Sequence, residues 1–128
     1  MNKRFYMVFA LSLIILLVGC EGMSVSTAKY DEIKEFVKNN ADKIQVTGDV
    51  EFFTYKTTGI SIGAVYYGYY YSENNEVLLP DYYRGNDDIR EPQAKDGGAY
   101  FGRPNNGTDW CFVKQISDHW FYYELHWA

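Results

Sequence analysis

Near the end of the chain stand three side chains of types that do acid–base or metal chemistry: His119, Glu124 and His126. On a strand, Trp120, Tyr122, Glu124 and His126 share one face, and His119 points the other way. Glu124 and His126 would supply two metal ligands, where zinc takes three or four. Spacing offers no third, so both are expected as surface residues of a terminal strand. A second set is acidic: Asp87, Asp88, Glu91 and Asp96, in the acidic loop 81–96 of the weakly patterned stretch 80–98. Oxygen ligands suit calcium, but the alternating spacing of a calcium loop is missing. A solvated acidic loop is expected, and no metal or cofactor is implied. The chain has no Gly-x-Ser-x-Gly, His-Glu-x-x-His, phosphate loop or dinucleotide fingerprint. Without a nucleophile–base set, a small hydrolase is the weakest functional reading, and no catalytic residue is assigned.

Aromatic residues are the strongest oddity: 13 Tyr, 8 Phe and 3 Trp in 128 residues. Only Phe5, Tyr6 and Phe9 precede the folded part. A domain this size is not expected to bury both faces of every tyrosine-bearing strand. Tyr67, Tyr69, Trp110, Trp120 and Tyr122 are the candidates for an exposed contact surface, because Tyr and Trp give rigid area with a polar handle. The competing account is a core in which each phenol finds a hydrogen-bond partner.

The start of the chain carries Lys3 and Arg4, then an apolar run over residues 5–18 broken only by Tyr6 and Ser12. Charge followed by a short apolar stretch is the order of an export signal. At about 1.5 Å per residue the run reaches about 21 Å, short of a hydrocarbon core of about 30 Å. Its end, Leu17-Val18-Gly19-Cys20, resembles the lipobox of bacterial lipoprotein precursors. The resemblance covers residues 1–20 alone, and no family is recognised for the remainder. It implies cleavage before Cys20, a diacylglycerol on the Cys20 sulfur and attachment to the outer side of a cell membrane. One acyl chain binds a bilayer marginally, whereas two or three hold it stably. With Cys20 lipidated, Cys111 has no disulfide partner and reads as a small buried apolar residue.

These features divide the chain into a signal at residues 1–19, a lipidated tether at 20–27 and one domain at 28–128. The expected fold class is α+β: one N-terminal amphipathic helix packed on a small, mainly antiparallel sheet of four to six strands. Tyr30, Ile33, Phe36 and Val37 recur at helical spacing over residues 28–40. Ser26 or Thr27 suits the cap, and Asp31 and Glu32 suit the first turn. Residues 60–71 read as an interior strand, apolar or aromatic on both faces. Gly63 and Gly68 mark a bulge or a ring crossing the backbone. Glu76-Val77-Leu78-Leu79 reads as its returning partner. Asn106-Gly107 fits a hairpin turn between Tyr100 and Trp110, and residues 120–127 form the last strand.

The whole chain carries a net charge of −5. Removing Lys3 and Arg4 with the signal leaves −7. Such a domain gains nothing from phosphate backbones, so nucleic acid is not an expected partner. An anionic membrane surface would repel it, so the lipid alone must hold it. The reading that fits best is a non-enzymatic protein-binding module of immunity or inhibitor type, whose partner is basic. A cell-wall or carbohydrate binder using the same aromatic rings is the alternative.

Overall fold

The computed structural model describes residues 25–59, 63–83, 91–104 and 107–127. Helix α1 spans Thr27–Asn40 and ends in a 3-10 turn at Ala41–Lys43. Six strands follow: β1 Val50–Thr58, β2 Val65–Ser72, β3 Gln93–Lys95, β4 Gly98–Phe101, β5 Trp110–Ser117 and β6 Trp120–His126. They form one sheet in the order β1-β2-β6-β5-β4-β3, with every neighbouring pair antiparallel. The fold class is α+β, a six-stranded antiparallel sheet with one helix. Among the described residues no helix is long and apolar enough to cross a membrane. The stretch that resembles a lipobox, with Cys20, lies outside them, and so do residues 60–62 and 84–90.

Ser26 caps α1, its hydroxyl accepting from the Lys29 amide at 3.0 Å, a contact of a kind that contributes about 1 kcal/mol. The folded part thus begins inside the stretch expected to be tether. With the cap at Ser26, Asp31 and Glu32 fall beyond the first turn, which carries no acid. Ile33 and Val37, four apart, face the sheet and are fully buried. They meet Tyr69, Trp120 and Tyr122 from β2 and β6, with Trp110, Tyr100 and Phe112 in the same cluster. Two strand residues have no cross-strand partner, Tyr55 in β1 and Ile116 in β5. Both bulged residues pack on this helix-side cluster.

The opposite face is buried too. Tyr70, Phe101, Cys111, Val113, Phe121, Tyr123 and Leu125 form its core. Leu78, Leu79, Tyr82 and Tyr83 lie over it. Here the expected returning strand at residues 76–79 does not form, because β1 and β6 already occupy both sides of β2. The segment crosses the face as irregular chain, clipped by one phenol. Tyr70 Oη donates to the Glu76 carbonyl at 2.7 Å and accepts from the Leu78 amide at 2.9 Å. Gly68 makes room for a ring crossing the backbone, as the sequence suggested. A Cβ there would stand 2.2 Å from the Phe53 carbonyl oxygen and 2.6 Å from the Tyr123 ring. Gly63 has another role, a turn residue at φ +86° with open space around it.

Tyr70, Tyr122 and Tyr123 have no exposed surface, and burial raises the pKa of each phenol well above its ordinary value. Raised folded-state values stabilise the fold fully below the unfolded pKa of about 10 and lose that contribution as pH rises beyond it. Urea midpoints should therefore hold level to about pH 9. Above about pH 10 stability should fall by up to about 1.4 kcal/mol per pH unit for each such phenol. In ultraviolet absorbance the phenolate signal of these residues should appear together with unfolding; their titration in a chain that is still folded would contradict the account.

Candidate functional site

The last strand by sequence is an interior strand in space. β6 lies between β2 and β5, and all seven of its residues are buried. This corrects the expectation for Glu124 and His126. They share a face as alternation requires, but that face lies beneath the start of α1, with Glu124 at 0% and His126 at 7% exposure. A buried carboxylate demands full hydrogen bonding, and Glu124 has it. Its Oε1 accepts from the Tyr122 hydroxyl at 2.6 Å and from the Ser26 amide at 3.1 Å. Its Oε2 lies 2.6 Å from His126 Nε2. An ionised carboxylate can only accept, so Nε2 carries the proton in that contact. The His126 ring is stacked on Trp110, centroids 3.8 Å apart and 11° from parallel.

These contacts make the Glu–His pair a structural tie. The thiol of Cys111 belongs to the opposite face, where burial raises its pKa and keeps it protonated. Among the described residues, no three His, Cys, Asp or Glu side chains gather as metal ligands.

Four of the five rings expected on a contact surface lie inside. Tyr69, Trp110, Trp120 and Tyr122 are buried, because α1 covers that face and because cross-strand rows of rings shield one another. Tyr69, Trp120 and Tyr122 meet beneath Ile33 and Val37. Trp110 lies between Tyr100 and His126. Tyr67 is half-buried beside that cluster. Of the acidic stretch 81–96, Asp87 and Asp88 lie outside the described residues, while Glu91 and Asp96 are exposed. His119 is in the two-residue turn between β5 and β6, at φ +71°. Its amide donates to Asn75 Oδ1 at 2.7 Å.

Two features escaped the sequence reading. At the Trp120 end of the sheet, Tyr71 is half-buried and ringed by exposed acids. It donates its hydroxyl to Glu73, and that bond, then desolvation, then the charges of Glu73, Asp118 and Asp49 raise its pKa. Asp49 and Glu73 meet because the Glu73 amide donates to the Asp49 carbonyl at 2.8 Å. Nothing local in the sequence joins these positions; antiparallel pairing does. The second feature is a hairpin. β3 and β4 are joined by Asp96-Gly97, both at positive φ, between the paired Lys95 and Gly98. That dipeptide is a strong hairpin signal, and it lies in the stretch read as weakly patterned.

Removing the Glu124 carboxylate strands the Tyr122 hydroxyl, the Ser26 amide and His126 together. Glu124→Ala should cost about 3–5 kcal/mol in urea unfolding. Glu124→Gln, which keeps an acceptor for Tyr122 and Ser26, should cost less. Equal losses for the two variants would mean that the side chain matters by volume alone.

No protein-family model, curated protein or solved structure matches this chain, so its function is argued from its own residues.

Proposed function

We propose that the protein is a lipid-anchored module on the outer side of a cell membrane that binds a basic protein partner, as an immunity or inhibitor protein does. The observation that carries this reading is the acidic end of the sheet, where exposed Asp49, Glu73 and Asp118 act on the half-buried Tyr71, whose ring lies 5.4 Å from that of His119. Like charges gathered at one end repel one another, and a cationic surface relieves that repulsion while the aromatic ring adds contact area.

The direction of the chain supports it further. Residues 20–24 would join the lipid on Cys20 to Ser26, and Ser26 is bonded to Glu124. Tyr71 pairs with Trp120, four residues back along β6 and so about 13 Å away. The acidic end thus points away from the attached end. An anionic bilayer favours that orientation, because it repels carboxylates within about a Debye length.

Two experiments test this reading. Cys20→Ser should move the protein from the membrane fraction to the soluble one; an uncleaved precursor held wholly in membranes would show the apolar run to be a permanent anchor. Crosslinking of the tagged protein in its own cells should capture a basic protein. Asp49→Asn, Glu73→Gln and Asp118→Asn combined should abolish that capture, and about 0.5 M salt should weaken it strongly. A partner retained equally by the triple variant would refute the acidic end as the contact surface.

A further inference from the structure

A cavity of about 250 Å³ opens between the start of α1 and the β3–β4 hairpin, at the attached end of the sheet. Val25, Tyr30, Tyr100 and Phe112 give it an apolar floor, and Thr27, Asp96 and Lys114 supply its polar groups. We infer that this cavity binds a small zwitterion with an apolar body, a free α-amino acid with a large aliphatic or aromatic side chain.

The argument rests on two opposite charges held apart on rigid supports. Lys114 is a β5 residue whose ammonium sits 4.3 Å from the centroid of the Tyr30 ring. That contact positions the charge without neutralising it. Among the described residues no carboxylate lies within ion-pair distance of it. Asp96 is fixed by the two-residue turn, at φ +58°. Its Oδ2 accepts from the Tyr100 hydroxyl at 2.7 Å, which leaves Oδ1 open. A Cβ on Gly97 would stand at ordinary contact distance, 3.4 Å, from Lys114 Cε and Nζ, so the lysine lies across the turn. Asp96 and Lys114 line the same cavity and yet form no ion pair with each other.

The apolar floor sets the rest. Liquid water occupies about 30 Å³ per molecule, so the cavity has room for about eight waters, or for one molecule of amino-acid size. An α-amino acid directs its ammonium to Asp96 Oδ1 and its carboxylate to Lys114 Nζ, with its side chain on Val25 and Tyr30. An amine or an acid alone leaves one protein charge unmatched. A neutral sugar leaves both. The zwitterion gains two charge-assisted contacts where an amine or an acid gains one and a sugar none.

Calorimetric titration of the full-length protein in detergent, with five probes, tests the inference. L-Phenylalanine and L-leucine should bind. Phenethylamine and 3-phenylpropionate should bind about tenfold more weakly, and N-acetylglucosamine not at all. Lys114→Gln should weaken phenylalanine about tenfold and leave phenethylamine unchanged. Asp96→Asn should do the reverse, weakening phenylalanine and sparing 3-phenylpropionate. Both variants keep the apolar floor, so their melting temperatures should match the parent's. Equal affinity for zwitterion, amine and acid would overturn the inference. So would preferential binding of the sugar, or no binding of either amino acid at about 10 mM.

Discussion

Glu124 is a fully buried carboxylate in the middle of a sheet, and a group of that kind has to be completely matched by hydrogen bonds. Its partners come from two levels of the structure. Tyr122 and His126 lie on the same strand, two residues either side. Ser26 comes from the start of the helix, 98 residues away in sequence. The match therefore holds only when β6 is interior, its side chains are in this register and α1 begins over this point. A register slip of one residue would turn Glu124 toward Tyr70 and Phe121 on the other face, where no such partners wait. Specificity of arrangement, more than net stability, is what a buried charge of this kind contributes.

The tyrosines solve a related problem. Their rings fill both faces, yet every phenol carries a polar oxygen that has to go somewhere. The chain directs many of these oxygens to backbone or carboxylate acceptors. Tyr30 reaches the Gln115 carbonyl at 3.1 Å and Tyr83 the Asp109 carbonyl at 3.3 Å. Tyr55 reaches Glu32 at 3.0 Å. Tyr82, Tyr123 and Thr54 share a cluster of hydroxyls. Each such bond also ties two elements together: helix to β5, helix to β1, the crossing segment to β6. A phenylalanine-rich version of the sheet would bury similar area and lose these ties. The aromatic excess is thus mainly an account of how the core is held, and Tyr71 combines partial exposure with neighbouring acids.

Local order was legible in the sequence, and spatial order was not. The cap at Ser26, the helical spacing of Ile33 and Val37, the alternation along β2 and β6 and the ring crossing at Gly68 all follow from short-range rules. What failed was the step from strand to sheet. Residues 120–126 form the last strand in sequence, and their central position rests on pairing with β2, 49 to 61 residues away. Propensity carries no information about such pairings. The misreading of Glu124, His126, Tyr69, Trp110, Trp120 and Tyr122 as outward-facing follows from that pairing together with the cover that α1 gives this face. The stretch 76–79 has the composition of a strand and becomes a cover for the same reason, since its would-be partner is already taken. Asp96-Gly97 is different: its signal was local, and the acids around it drew attention to cation binding instead.

On the proposed anchor, the position of Ser26 has a mechanical consequence. Any pull from the membrane enters the folded part there. The Ser26 hydroxyl holds the first turn of α1 through Lys29, and its amide holds Glu124. Force is therefore shared between the helix end and the centre of the sheet, two elements that also pack on one another. A tether ending on an edge strand or a free loop would let the domain swing. One ending at Ser26 limits the directions the sheet can take, with at most about 20 Å of extended chain between Cys20 and the cap. The acidic end is then held outward and the zwitterion cavity, lined in part by the neighbouring Val25 and Thr27, stays near the bilayer. The two surfaces differ in charge and in depth, so a partner at one end need not displace a ligand at the other.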